Sequence, residues 1–198
     1  MDNVHEHSNG LVSLEWLQKD MATTYLNILA EKANRLLDQG GAYELDTAAI
    51  FVEPLLRGLG WDTLDHEKVD RAPAGPYPDV ELYGTEGDST AKRVAAIEIK
   101  RLDTDDAFFR TSALDQLHRY VSYCLSGSVG KPDWVLKLRN EPIICGVLTN
   151  GRWWLAYDFH GKGRELKCDF NLQSTQDLQA FRQTLERSHL LKRLGLST

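Results

Sequence analysis

No run of 18 apolar residues occurs in the chain, so nothing in the sequence has the length and hydropathy of a membrane-spanning helix. Cysteine is scarce. Cys124, Cys145 and Cys168 are widely spaced and odd in number, which argues against a disulfide frame and for reduced thiols in apolar patterns. No Cys/His zinc spacing is present, and His5 and His7 have no third ligand nearby. Positive charge is not in excess: 23 basic against 29 acidic residues leave a net charge of −6, which argues against gripping nucleic acid through global charge. The Gly-x4-Gly-Lys-Ser/Thr order of a phosphate loop is missing, and Gly161-Lys162-Gly163 does not replace it. A Gly-x-Ser-x-Gly elbow is missing too, which disfavours a serine hydrolase. Asp103, Asp105 and Asp106 lack the glycine and later glutamate of a calcium loop. There is no repeat and no low-complexity tract. The first residues, Met1 to His7, lack the basic-then-apolar order of a signal peptide, so the expected compartment is the cytoplasm.

What is present suits one globular domain. With 198 residues and 42% hydrophobic content the chain can bury one good core. Residues 1–12 read as a mobile tail and 13–198 as the domain. Ser13 is the expected cap of a helix running to Gln39, with Leu14, Leu17, Met21, Ile28 and Leu36 at helical spacings and Gly40-Gly41 as its stop. This helix suits packing on the core or pairing with a second copy. A second helix is expected from Thr47 to Leu59, capped by Asp46 or Thr47 and kinked or divided by Pro54. Trp61 to Val69 reads as a strand, and Ala72 to Pro78 as a rigid loop. Ala113 to Leu125 is a helix with Leu114, Leu117, Val121, Cys124 and Leu125 facing the core. Trp134 to Leu138, Pro142 to Leu148, the segment from Trp153 to Asp158 and Leu166 to Leu172 read as strands, and Asn150-Gly151 is a strong hairpin signal. The aromatics of Trp153 to Asp158 are expected in the core. Ser174 with Asp177 resembles a capping box for a last helix carrying Leu178, Phe181 and Leu185, and the basic segment Arg187 to Arg193 is expected to dock the body or touch phosphate.

The most informative stretch runs from Pro78 to Lys100. Val80 and Leu82 alternate with Asp79, Glu81 and Tyr83 as in a strand, and Gly84 to Lys92 reads as a hairpin loop. In the return strand, Arg93 to Lys100, Ala95, Ile97 and Ile99 share one face, while Glu98 and Lys100 share the other. The pairing brings Asp79 within a few Å of Glu98. Two carboxylates on rigid strands make an all-oxygen site for a hard cation, Mg²⁺ or Mn²⁺. Such a cation stabilises phosphate charge and acidifies water, and an adjacent lysine can position or deprotonate that water.

Pro78-Asp79 followed by Glu98-Ile99-Lys100 resembles the signature of the PD-(D/E)XK nuclease superfamily. The flanking order resembles the N-terminal nuclease domain of type I restriction enzyme R subunits. It is carried by Asp46-Thr47 and Phe51 to Asp62 before the motif, Gln116-x-x-x-Tyr120 after it, then Gly146 to Gly151 and Trp154, over roughly residues 44 to 158. The resemblance implies an α/β fold, a restriction-endonuclease-like mixed central sheet flanked by helices, here with an extra N-terminal helix. It implies a metal-dependent endodeoxyribonuclease in a restriction or anti-phage setting. Asp79, Glu98 and the Ile99 carbonyl would hold Mg²⁺, and Lys100 would orient or activate water. An acid from the first core helix, Glu44 or alternatively Glu53, would complete the site. Gln116 and Tyr120 would position the DNA backbone.

A local basic stripe for DNA is offered by Lys92-Arg93, Lys100-Arg101, Arg110 and Arg119. The R subunits carry a helicase motor that this chain lacks, so a specificity or motor protein is an expected partner, and a homodimer would cut both strands of a duplex. The rival expectation is a catalytically silent, nuclease-like binding or assembly module acting through a partner protein.

Overall fold

In a computed structural model of the chain, the described residues are 19–61, 66–67, 78–85, 91–126, 145–160, 163–174 and 177–193. The expectations for the tail, the Ser13 cap, the loop up to Tyr77 and the strand Trp134 to Leu138 lie outside them, as do the side chains of Cys124 and Leu125.

Among the described residues, six strands form one sheet: β1 (His66–Glu67), β2 (Val80–Thr85), β3 (Ala91–Ile99), β4 (Cys145–Thr149), β5 (Trp153–His160) and β6 (Gly163–Asn171). They lie side by side in sequence order, and every pair is antiparallel except β3 with β4. A parallel pair needs a crossover. Part of it is a helical stretch built of α4 (Asp106–Phe108), a π-helical turn (Phe109–Ala113) and α5 (Leu114–Ser126).

The remaining helices are α1 (Lys19–Asp38), α2 (Glu44–Thr47), α3 (Glu53–Gly58), α6 (Leu178–Leu185) and α7 (Arg187–Arg193). They cover the sheet face opposite α5, where Leu26, Phe51, Leu56, Phe181 and Leu190 pack on Leu82, Ile97, Val147, Trp154 and Phe170. On the other face Phe109, Leu117 and Val121 pack on Ala96, Leu148, Leu155 and Phe159. The mixed α/β class is therefore present, with helices on both faces. None of the described helices is long and apolar enough to cross a membrane.

Several sequence expectations change. In α1 the core stripe is Leu26, Leu29 and Ala33, and Ile28 is turned outward. The Thr47–Leu59 helix starts earlier, at Glu44. Its N-cap is Tyr43 and makes no side-chain cap bond, so neither Asp46 nor Thr47 caps it. Pro54 does interrupt regular winding, because the turn before it, Ala48–Val52, is a π-helix. Proline lacks an N–H and crowds the preceding turn, and a wider turn accommodates both. Trp61 is not in a strand. It follows α3, fully buried, and its indole N–H donates to the Leu185 carbonyl at 2.8 Å. The β2–β3 loop is shorter than Gly84 to Lys92, since Gly84 and Thr85 pair with Lys92 and Ala91. Asp177 occupies the N-cap of α6 without a side-chain cap bond, so the Ser174/Asp177 capping box does not form.

Other expectations hold. Leu114, Leu117 and Val121 are buried, and of the aromatics from Trp153 to Asp158, Trp154 and Tyr157 are core residues while Trp153 is half-buried. Asn150-Gly151 turns β4 into β5, with Gly151 at φ 81° and the Asn150 carboxamide oxygen accepting from the Arg152 and Trp153 amides. The Arg187–Arg193 segment docks: Leu190 and Leu191 are buried and Arg193 forms an ion pair with Asp158 at 3.1 Å. Cys145 and Cys168 are buried free thiols, each pushed up to about 12 chiefly by burial.

Candidate functional site

The β2–β3 pairing places Val80 opposite Ile97 and Glu81 opposite Ala96. Continued by one residue, that register sets Asp79 against Glu98, as the alternation anticipates. The contact is made through the backbone: an Asp79 carboxylate oxygen accepts the Ile99 N–H at 2.7 Å. Side chains alternate along a strand, so Ile97 and Ile99 enter the core while Glu98 and Lys100 emerge on the α5 side. Both are nonetheless out of water, at 3% and 8% exposure. Lys100 Nζ donates to Glu98 Oε1 in a buried ion pair. The other oxygen, Oε2, is buried and has no hydrogen-bond partner.

A buried carboxylate in that condition resists ionisation. The Glu98 carboxyl is pushed up to about 7, first by burial and next by the negative charge of Asp79, against the opposing pull of Lys100. Glu44 adds a smaller push in the same direction, which places it in the neighbourhood of Glu98. The chain brings it there by tying two loops together. The Leu102 amide donates to the Ala42 carbonyl at 3.2 Å, joining the segment after β3 to the segment before α2. Lys100 is fixed likewise, its amide donating to the Thr149 carbonyl at 2.8 Å. Of the two candidate helix acids, Glu44 is among the named causes of the Glu98 shift.

The donor chemistry fits Mg²⁺. The orphaned, buried Oε2 of Glu98 and the half-buried Asp79 are hard oxygens, and Mg²⁺ is commonly held by one or two carboxylates with water and substrate phosphate supplying the rest. Among the described residues no group of three or more His, Cys, Asp or Glu side chains stands at metal-holding spacing.

The expected substrate contacts are distributed differently. Gln116 and Tyr120 are half-buried and bonded to each other, the Gln116 amide donating to the Tyr120 hydroxyl. They flank Leu117 and Val121, the residues by which α5 sits on the sheet. Arg119 is exposed and lines an open cleft with Ser112, Asp115 and His118. Arg101 is exposed; it forks Asp103 through Nε and Nη2, at 3.0 and 2.9 Å, and lies over the Tyr43 ring at 5.2 Å. Arg110 is likewise engaged, bridging Asp106 and Asp169 and covering Trp153. Lys92 and Arg93 are placed on β3 by their backbone only.

Sequence reasoning missed Glu81. It lies two residues beyond Asp79 on the same strand face, is 2% exposed, and accepts the Tyr83 hydroxyl. The alternation gave its face, but nothing local signalled that this face would be covered. Comparison with protein-family models, curated proteins and solved structures gave no match to the chain.

Proposed function

We propose that the chain is a metal-dependent nuclease that hydrolyses phosphodiester bonds of DNA. One observation carries the reading: the Glu98 carboxylate is buried at the end of β3 beside Asp79 and Lys100, with one oxygen lacking any hydrogen-bond partner. Keeping an unsatisfied carboxylate out of water is costly, and function is the common reason for tolerating it.

Asp79, Glu98 and the Ile99 carbonyl would hold Mg²⁺ or Mn²⁺, with Glu44 at the margin. When bound, such a cation stabilises charge on the phosphate and acidifies water. Lys100, held at the strand end through Thr149, would orient the attacking water. Gln116 and Tyr120 would position the DNA backbone. The restriction-endonuclease-like fold, the restriction or anti-phage setting, a homodimer and a specificity or motor partner rest on the resemblance of the sequence motifs.

A second reading, a catalytically silent binding module, is favoured by the absence of a three-acid cluster among the described residues. A cleavage assay on plasmid and single-stranded DNA separates the two, with and without Mg²⁺ or Mn²⁺, wild type beside Asp79→Ala. Cutting that requires both metal and Asp79 is the expected result. No cutting of any substrate by a well-folded protein would leave the binding module.

A further inference from the structure

Two exposed residues flank Glu44. Tyr43 is 70% exposed and Leu45 is 74% exposed, at the start of α2. Tyr43 is not loose. The Arg101 guanidinium lies over its ring at 5.2 Å, and Arg101 is itself fixed by the two-pronged bond to Asp103. Asp103 in turn packs where a side chain on Gly41 would stand, 2.8 Å from its Cγ, so the two loops fit closely. The ring is thus backed on one side by a planar cation and presented to solvent at the residue before Glu44, the acid whose charge reaches Glu98.

The charge of this unit decides what it can take. Asp103 neutralises Arg101, and Glu44 and Asp46 stand next along the chain. A phosphate finds little attraction there. A nucleobase does: it is uncharged, flat, and stacks on an aromatic face without regard to sequence. We infer that Tyr43, backed by Arg101, is a stacking platform for an unpaired base next to the scissile phosphate, so that the preferred substrate is single-stranded DNA or a frayed end. Bases inside an intact duplex are stacked on each other and cannot reach such a platform. The inference rests on the nuclease reading and names its substrate class.

The test is binding of one labelled 20-nucleotide DNA, as a single strand and as a blunt duplex, measured by fluorescence anisotropy in chelator. Wild type, Tyr43→Ala and Tyr43→Phe are compared, with a melting curve for each; the side chain is exposed, so its removal leaves the core intact. The expected result is a loss of single-strand affinity of about five- to a hundredfold in Tyr43→Ala, the range for removing one stacked base. Tyr43→Phe retains affinity and the duplex is unaffected. If Tyr43→Ala binds single strands as tightly as wild type, or loses both substrates equally, the platform is wrong and the nuclease reading stands. If wild type neither binds nor cuts either DNA, with or without Mg²⁺ or Mn²⁺, the nuclease reading falls and the platform with it.

Discussion

The two halves of the sheet bury their residues by opposite rules. β4 and β5 are apolar on both faces: Val147, Trp154 and Ala156 pack under one helical layer, and Leu148, Leu155 and Phe159 under α5. β2 and β3 are mainly apolar on one face, the α5 side receiving, among the described residues, Ala96 alone. Their other face carries Asp79, Glu81, Glu98 and Lys100, and the last three are as dry as many core residues. One half therefore gains stability from burial, roughly 25 cal/mol per Å² of apolar surface. The other half gives some of it back in desolvated charge. The difference separates strands buried mainly through apolar side chains from strands that keep polar side chains dry beside their apolar face.

That contrast can be broken from either side. The largest effect is expected at the polar half: Lys100→Ala should lower kcat for DNA cleavage by about 10²- to 10⁴-fold, the usual range for a group that handles the proton of water. Folding should survive, because Glu98 can take up a proton when its cationic partner is removed. Metal binding followed by calorimetry should persist in this variant and disappear in Asp79→Ala. Cleavage by Lys100→Ala at the wild-type rate would refute the division of roles.

At the apolar half, Trp154→Ala should cost about 3–5 kcal/mol of stability in denaturant unfolding. It removes a fully buried ring packed edge-on against Phe181. Any activity lost should return under conditions that restore folding. A variant stable as wild type but inactive would blur the distinction between the halves.

The polar half also predicts a pH dependence. The Glu98 carboxyl is raised from 4.5 to about 7 in the folded protein. A raised native value means the folded state holds the proton more tightly, so this contribution is complete below about pH 4.5 and lost as pH rises through about 7. The loss is at most about 3 kcal/mol. Chelator-treated protein should melt at falling temperature across that window, and Glu98→Gln should flatten the slope.

The smallest effect is expected at Gly146. A Cβ there would lie 2.3 Å from Phe159 Cε2, so Gly146→Ala should cost about 1–3 kcal/mol by overpacking, read from the unfolding midpoint.

The legibility of the molecule divides along similar lines. The β2–β3 hairpin, its register and the shared face of Glu98 and Lys100 could be read because strand alternation is local and Asp79 to Glu98 is one hairpin. The Asn150-Gly151 turn was legible for the same reason. The helix start at Glu44 was not, since Tyr43 makes no cap bond and tertiary contacts fix the end instead. Neither π-turn leaves a mark in apolar periodicity. The engagement of Arg110 with Asp169, 59 residues away, and the fork of Arg101 on Asp103 could not be read from the run of basic residues near the motif. Burial of Glu81 depends on what covers the strand, which no pattern within β2 encodes.

The tie between Ala42 and Leu102, and the seat of Gly151 against Phe51 and Thr47, have a consequence for the order of assembly. Asp79 meets Ile99 across 20 residues, a closure available to a short piece of chain. Glu44 reaches its place through contacts spanning far more sequence, which form late because their closure entropy is larger. Its helix emerges well before Gly151 but finds its seat only once Gly151 is there to pack against Phe51 and Thr47. A nascent chain thus carries the paired hairpin acids before Glu44 is seated in their neighbourhood.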